Sequence, residues 1–437
     1  MKNITVKFGG SSLADAGQIR KVAEILKADP ERRYLVVSAP GKRFKEDEKV
    51  TDLLYAAYRR ALSSEDISAA FEKIAVRYQE IIDDLEISFD LEAELSVILD
   101  ALLNGPSEDY IASRGEYLNG KIIAAYLGWE FKDPADMILF KDSGLLDEET
   151  TNGRLFSALK DVPYAVIPGF YGAFSDGRIR TFSRGGSDVT GALVARAVSA
   201  SVYENWTDVS GMLFTDPRIV KNPRTIDCIT YKELRELSYM GASVLHEDAV
   251  FPVRKARIPI NIRNTNRPED KGTMILSRYP EGYDPGPITG IAGRKGFVNI
   301  YVEKAMMNQE VGFGARLLSI FAEAGVPFEH CPTGIDTIAV VVSGEAFLEK
   351  EEEILGRIEK ELQPDDLKVE TGIAVIAVVG EGIIGHRGIA MRVFRGVANK
   401  GVNVRMIDSG AGEMNIILSV ADSDFEATIR GIYEEFC

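Results

Sequence analysis

ITVKFGGSS (residues 4–12) is a short apolar run that stops abruptly at two glycines and two serines. Residues 15–28 then carry apolar positions at helical spacing, and YLVVSAP (34–40) is a second apolar strand. Strand, glycine turn, helix and strand in that order predict an α/β sheet. Working outward, GKRFKEDEK (41–49) is a charge run that reads as a solvated loop or as a lid over a site, and residues 51–127 read as mostly helical. YAVIPGFYGAF (164–174) reads as a strand and SDGR (175–178) as a turn. IRTFSRGGSD (179–188) runs from strand into a glycine turn, and VTGALVARAVSA (189–200) is a helix. SVYENWTDVSG (201–211) and IPINIRNT (258–265) add two more strands.

RYPEGYDPGP (278–287) holds three prolines and two glycines and reads as a linker. Beyond it the chain repeats a pattern. ITGIAGRKGFVNIYVE (288–303) reads as two short strands, GFGARLLSIFAEAGV (312–326) as a helix, PFEHCP and DTIAVVVS as strands, and 346–362 as an acidic helix. The pattern restarts with VETGIAVIAVVG (369–380), again two strands, then a helix over 384–402, strands in NVRMIDSG and MNIILSV, and the helix DFEATIRGIYEEF. A tandem duplication of a small α+β unit is expected. The domains are expected at 1–280, 288–366 and 367–437, with strands shared between the last two as an open alternative.

The chain has 437 residues, 45% of them hydrophobic and 27% charged, which is ordinary globular composition. Its 51 basic and 67 acidic residues give a net charge of −16, which argues against nucleic-acid binding, since phosphates demand a basic face. Cys228, Cys331 and Cys437 form neither a disulfide framework nor a metal-binding pair. MKNITVKFGG does not read as a signal peptide, and the longest apolar run, IAVIAVV (373–379), is too short to cross a bilayer. A cytoplasmic protein without a membrane partner is expected.

Two motif matches are rejected on chemistry. GEYLNGK (115–121) fits GxxxxGK, but Ile122 stands where a phosphate loop needs a hydroxyl for magnesium, and the segment reads as continuous helix. GEGIIG (380–385) fits a dinucleotide fingerprint, but too little chain remains after it to complete that fold, and a tight turn in the repeated unit explains it. His246, His330 and His386 lie far apart and support neither a metal site nor a triad.

Four polar clusters sit at strand or helix ends. Lys7 with Gly9, Gly10, Ser11 and Ser12 offers a cation, close backbone approach and free N–H groups, which suit a phosphate, although a plain glycine turn has the same composition. Ser113-Arg114-Gly115-Glu116 reads as opening a helix. SRGGSD (183–188) contributes Arg184 and Asp188, and WTDVSGMLFTDPR (206–218) contributes Thr207, Asp208, Asp216 and Arg218.

VKFGGSS, SRGE, GFYG, SRGGSD, WTDVSG and FTDPR, followed by GASVLH and a duplicated tail, closely resemble the aspartokinases, the aspartate kinase branch of the amino-acid kinase family, over nearly the whole chain. The resemblance implies a three-layer α/β kinase sandwich followed by two ferredoxin-like ACT domains. It implies transfer of phosphate from MgATP to the β-carboxylate of L-aspartate, giving 4-phospho-L-aspartate, the first step towards lysine, threonine and methionine. By position, Lys7 matches the catalytic lysine, and Gly9, Gly10 and Ser11 the phosphate contacts. Asp188 matches the acidic residue that orients substrate and lysine. Ser38, Thr51, Glu116 and Arg184 match the aspartate site, with Glu116 on the amino group and Arg184 on the α-carboxylate. Thr207, Asp208 and Arg218 match the nucleotide site. Leu213 stands where many members have Tyr, Ser243 where many have Lys, and the 41–49 loop is longer than in short-loop members. Another amino-acid kinase, or a silent amino-acid sensor on the same shell, are the competing readings.

The chemistry agrees with the absence of a general base. A carboxylate of pKa about 3.9 is already ionised at neutral pH, so the obstacle is charge repulsion, which Lys, Arg, backbone N–H groups and Mg²⁺ relieve. The tail implies a homodimer or higher homo-oligomer that binds an amino-acid effector, lysine first and threonine second. The expected pocket lies around Met307, Phe313 and Asp336, with Asp336 as a plain turn residue the alternative.

Overall fold

Strand β1 (Ile4–Phe8) is buried along its whole length, and it lies between two parallel neighbours, β2 (Arg32–Val37) and β8 (Val202–Thr207). Burial on both faces explains why its apolar run does not alternate. The structure is a computed structural model. It describes every residue except Met1, Pro106, Arg184, Ser243, Val244, His246, Gly410, Ala411 and Glu413; the side chains of Glu247, Asp248 and Ala249 also lie outside it.

The chain divides into two compact units. The first comprises Met1–Met212, Thr225–Tyr231 and Val244–Tyr279. Its remaining strands are β3 (Glu130–Phe131), β4 (Leu139–Phe140), β5 (Ala165–Pro168), β6 (Tyr171–Phe174), β7 (Ile179–Thr181), β9 (Cys228–Thr230), β10 (Ile260–Asn264) and β11 (Thr273–Leu276). An eight-stranded sheet runs β3-β5-β2-β1-β8-β10-β11-β9, and a small sheet runs β4-β6-β7. From β3 to β10 every neighbouring pair in the large sheet is parallel.

Helix α1 (Ala16–Lys27) follows the glycine turn. Its cap is Asp15, which accepts from the Gln18 amide, and Ile19, Val22, Ala23 and Leu26 bury one stripe. Helices α2 (Val50–Leu62), α3 (Ser68–Leu85), α4 (Leu91–Leu103) and α5 (Glu108–Leu127) fill the 51–127 stretch as expected. The unit is completed by α6 (Glu148–Leu159), α7 (Gly186–Ala197) and α9 (Glu247–Ala256), with α8 (Tyr231–Tyr239) starting at its edge.

Two local expectations are corrected. The 164–174 run is not one strand: β5 belongs to the large sheet and β6 to the small one. The chain changes sheet at Gly169-Phe170, where Phe170 has φ of 80° and a Cβ on Gly169 would lie 2.6 Å from Ser187. The SRGE cluster does not open a helix either. Helix α5 starts at Glu108, capped by Ser107, so Ser113–Glu116 lie well inside it.

The second unit comprises Leu213–Arg224, Lys232–Ser243 and Pro280–Cys437. It holds β12 (Gly290–Glu303), α10 (Phe313–Glu323), β13 (Phe328–His330), β14 (Thr337–Ser343), α11 (Gly344–Leu348), α12 (Glu351–Leu362), β15 (Asp366–Val379), α13 (Ile389–Asn399), β16 (Met406–Asp408), β17 (Asn415–Ala421) and α14 (Phe425–Phe436). The sheet order is β13-β14-β12-β15-β17-β16. Where the sequence predicted two pairs of short strands, the structure has two long ones. Each carries a left-handed glycine, Gly296 (φ 85°) or Gly372 (φ 69°), and the pairing slips beside them instead of ending. Asn299–Glu303 pairs with Asp366–Glu370, while Gly290–Arg294 pairs with Val375–Val379, so each long strand serves both repeats. The 346–362 helix is likewise two, α11 and α12.

Two stretches from inside the 1–280 range join this unit for a packing reason. Phe214 lies in the same apolar core as Ile288, Ile291, Val378 and Ile432. Buried Glu233 on α8 accepts from the Thr289 hydroxyl (2.6 Å) and the Glu381 amide (2.8 Å). No described helix is long and apolar enough to cross a membrane.

Candidate active site

The parallel strands β5, β2, β1, β8 and β10 end on one side of the large sheet, and the onward connections of the neighbours β1 and β8 run in opposite directions, from β1 towards β2 and from β8 towards β10. Such a switch point opens a crevice beyond the strand ends where ligands bind. The glycine turn closes it from one side: Gly9 N–H donates to the Trp206 carbonyl (3.1 Å), Ser12 N–H to the Gly9 carbonyl (3.0 Å), and the Ser12 and Thr265 hydroxyls share a bond (2.7 Å). Gly10 and Ser11 form a short 3₁₀ turn there.

Lys7 and Phe8 point to opposite faces of β1, as strand alternation requires. Phe8 stacks on Trp206. Lys7 puts its ammonium 2.6 Å from Asp188 Oδ1, with both side chains largely buried. Asp188 sits in the first turn of α7, and Asn205, the register neighbour of Lys7 on β8, donates to the same oxygen (2.9 Å). A Cβ on Gly9 would come 3.6 Å from Lys7 Nζ, so the ammonium lies beside the glycine turn. The spacing of the sequence could not show Asn205; only the pairing of β1 with β8, almost 200 residues later, brings it in.

Glu116 on α5 is 5% exposed, and its Oε2 has no hydrogen-bond partner. Burial pushes its carboxyl up to about 7, against the opposing pull of the Ala39 amide, its own amide and the Lys7 charge. A buried carboxyl with an unmet oxygen, within the field of Lys7, suits a cationic ligand group. Ser38 follows β2, where its amide donates to the Phe8 carbonyl and its carbonyl accepts from Asn119 (2.7 Å). Thr51 is half-buried in the first turn of α2. Thr207 ends β8, and its hydroxyl bonds to the exposed carboxylate of Asp208 (3.2 Å).

Lys7, Gly9, Gly10, Ser11, Ser38, Thr51, Glu116, Asp188, Thr207 and Asp208 thus all belong to the first unit. Arg184 and Ser243 lie outside the described residues. Arg218 belongs to the second unit, where its exposed guanidinium is paired with Asp216 (2.6 Å). In that unit Met307 and Phe313 are core residues beside Val302 and Ile338, while Asp336 is on an exposed turn and its carbonyl accepts from the Lys304 amide.

The model of the amino acid kinase family matches residues 2–264, and an ACT domain model matches 376–436. Aspartokinase 3 of Bacillus subtilis is 37% identical over 448 residues, covering 99% of this chain and 98% of that protein. The chain belongs to the aspartokinases. A crystal structure of this family, the aspartate kinase of Clostridium acetobutylicum, covers both chains completely with a TM-score of 0.92 and 47% identity. Aspartokinase III of Escherichia coli, crystallised with lysine and aspartate, shares the fold at a TM-score of 0.73 and 23% identity. The family's activity is phosphotransfer: ATP-dependent phosphorylation of the L-aspartate carboxylate, with ACT domains as the regulatory part.

Proposed function

We propose that the nucleotide phosphates lie on the Gly9–Ser11 turn with Lys7 at the transferring group, and that Thr207 and Asp208 take the rest of the nucleotide. Aspartate is bound through its ammonium by Glu116 and through its α-carboxylate by Arg184, with Ser38 and Thr51 beside it. The observation that carries this is the buried Lys7–Asp188–Asn205 cluster next to a glycine turn at the sheet's switch point. Asp188 and Asn205 hold the ammonium in one place, so that its charge is fixed before the reaction begins. A β-carboxylate oxygen attacks the γ-phosphorus, the bond to the ADP oxygen breaks, and no proton moves.

Magnesium fits as a companion of the nucleotide. No group of three His, Cys, Asp or Glu side chains that could hold an ion occurs among the described residues. Mg²⁺ ordinarily keeps several waters and uses one or two carboxylates plus the phosphates. Asp208 is the exposed carboxylate at the strand end that would complete such a set, and the ion would offset phosphate charge during transfer.

The second unit carries regulation. Its α10 face bears an open, largely apolar groove of about 570 Å³ lined by Ala315, Leu318, Phe321 and Phe328 among others. Val311 is 95% and Ile335 72% exposed in the same repeat. A second copy of the chain would cover these, giving a homodimer or larger, with lysine the first and threonine the second choice of effector near Asp336. The enzyme would work in the cytoplasm, where ATP and aspartate are both abundant.

The test is a phosphorylation assay on aspartate, glutamate and uridylate with the unmodified chain and Lys7→Ala. Aspartate should be the acceptor. Lys7→Ala should lose about 10²–10³ in kcat with a smaller change in KM, as for other fixed electrostatic contacts. Near-normal turnover by the variant would remove Lys7 from the transfer step, and glutamate or uridylate as acceptor would replace the substrate assignment.

A further inference from the structure

The charged run at 41–49 is tied down from within. Arg77 on α3 is 4% exposed; it donates to the Gly41 carbonyl (3.0 Å), to Asp47 Oδ2 (2.7 Å) and to the Glu48 carbonyl (3.3 Å). Asp47 is 9% exposed and also takes Arg43, through Nε (2.9 Å), Nη2 (3.2 Å) and the backbone amide (2.9 Å). The Arg43 fork, with the Arg77 charge behind it, holds the Asp47 carboxyl far below the ordinary carboxylate range. Burying the two charges of Arg77 and Asp47 is costly, so a cluster of this kind is weak as a stability device and stronger as a means of fixing one geometry.

What it fixes is visible on the other side of the loop. Gly41 N–H donates to the Gly10 carbonyl (2.8 Å). A Cβ on Gly41 would meet Gly10 C at 2.5 Å and Ser11 N at 2.8 Å, and one on Gly10 would meet the Ala39 carbonyl at 2.9 Å. The next amide back, that of Ala39, faces the Glu116 carboxylate and draws its pKa down against the effect of burial. One bonded path therefore runs from Arg77 through Gly41 to the glycine turn, and the same three-residue backbone carries the amide that faces Glu116.

We propose that Arg77 and Asp47 are positioning residues for phosphoryl transfer: by pinning the Gly41 carbonyl they set the 39–41 backbone, and with it both the Gly10–Ser11 turn and the amide that faces Glu116. The proposal rests on the assignment of nucleotide to that turn and of aspartate to Glu116. It makes the charged run, exposed at 42–46 and 48–49 but anchored at Gly41 and Asp47, a buttress shared by the two substrate sites rather than a lid.

Arg77→Lys keeps the charge but loses the fork. Asp47→Asn keeps the shape but loses the anion. Hydrogen exchange on the ligand-free chain should show peptides over both 8–13 and 38–50 losing protection roughly ten-fold in either variant, with α6 unchanged. kcat/KM for aspartate should fall roughly ten- to a hundred-fold. The pH midpoint of the aspartate KM should move upward, because an ionised Glu116 without the Ala39 amide is less stabilised. Glu80→Gln, which cuts only the exposed arm of Arg43, should stay within about two-fold of the unmodified enzyme. Unchanged exchange at 8–13 together with an unmoved pH midpoint, in variants that only melt earlier, would overturn the proposal. Failure of the unmodified chain to phosphorylate aspartate would instead overturn the substrate assignment, while the exchange measurement still decides the buttress.

Discussion

Glu116 is asked to be buried and to be charged, and these demands oppose each other. Its carboxyl is pushed from an ordinary 4.5 to about 7 by burial. Between these two values the unfolded chain releases the proton and the folded chain keeps it. The folded state therefore binds more protons, and stability falls as pH rises through this window. Above pH 7 the full cost is present, about 3 kcal/mol from the size of the shift. Glu116→Gln should thus raise the unfolding free energy at pH 8 and leave it unchanged at pH 4, measured by urea denaturation; a gain equal at both pH values would show that ionisation is not the source. With the aspartate ammonium placed on Glu116 as proposed, the same titration sets substrate binding. An ionised Glu116 attracts the aspartate ammonium and a protonated one does not, so the aspartate KM should fall roughly ten-fold from pH 6 to pH 8. A flat profile would take Glu116 off the ammonium.

At the scale of elements, glycines mark where close approach matters and where it does not. Helix α7 carries Asp188 in its first turn, and Gly186 there lies so near Phe170 that a Cβ would meet its ring at 2.6 Å and its Cα at 2.9 Å. Gly186→Ala should push the turn off its seat, costing about 1–3 kcal/mol and displacing Asp188 from Lys7. The exposed Gly153 of α6 and Gly356 of α12 have nothing within 4 Å, so alanine there should add about 0.5–1 kcal/mol each by helix propensity alone. Thermal melts of the three variants should give opposite signs, and a stabilised Gly186→Ala would contradict the packing. The sequence made β1, its glycine turn and the repeats of the tail legible, because each has a local signature: an apolar run, a pair of glycines, a recurring order. It did not show that β12 and β15 continue past Gly296 and Gly372, because a bulge and a strand end have the same local composition. Nor did it show Arg77 on Asp47 or Asn205 on Asp188, which depend on contacts between distant segments. Lys7, Gly9 and Glu116 are legible because glycine turns and a family resemblance point at single residues; their supports carry no motif.

At the scale of the whole molecule, the two repeats are not beads on a string. Because β12 and β15 each pass through both, a displacement in one repeat is transmitted along two covalent backbones to the other. The second repeat's core also holds Phe214, four residues before Arg218 in the chain, and α8 is fastened to it by Glu233. An effector near Asp336 would thus act on an element continuous with the segments that carry Leu213–Arg224 and Lys232–Ser243. For such a ligand to inhibit, it must bind one arrangement of this unit better than another. If a second copy covers the α10 groove and shapes the effector pocket, then Leu318→Asp should place a carboxylate in an apolar contact and reduce the particle mass seen by light scattering. It should also abolish inhibition by lysine and by threonine. Asp336→Ala should abolish inhibition while leaving the mass unchanged, since Asp336 is exposed and its bond to the Lys304 amide is made by the backbone carbonyl, which alanine keeps. Loss of mass with inhibition intact would separate the effector pocket from the interface, and undiminished inhibition in Asp336→Ala would move the pocket elsewhere in the unit.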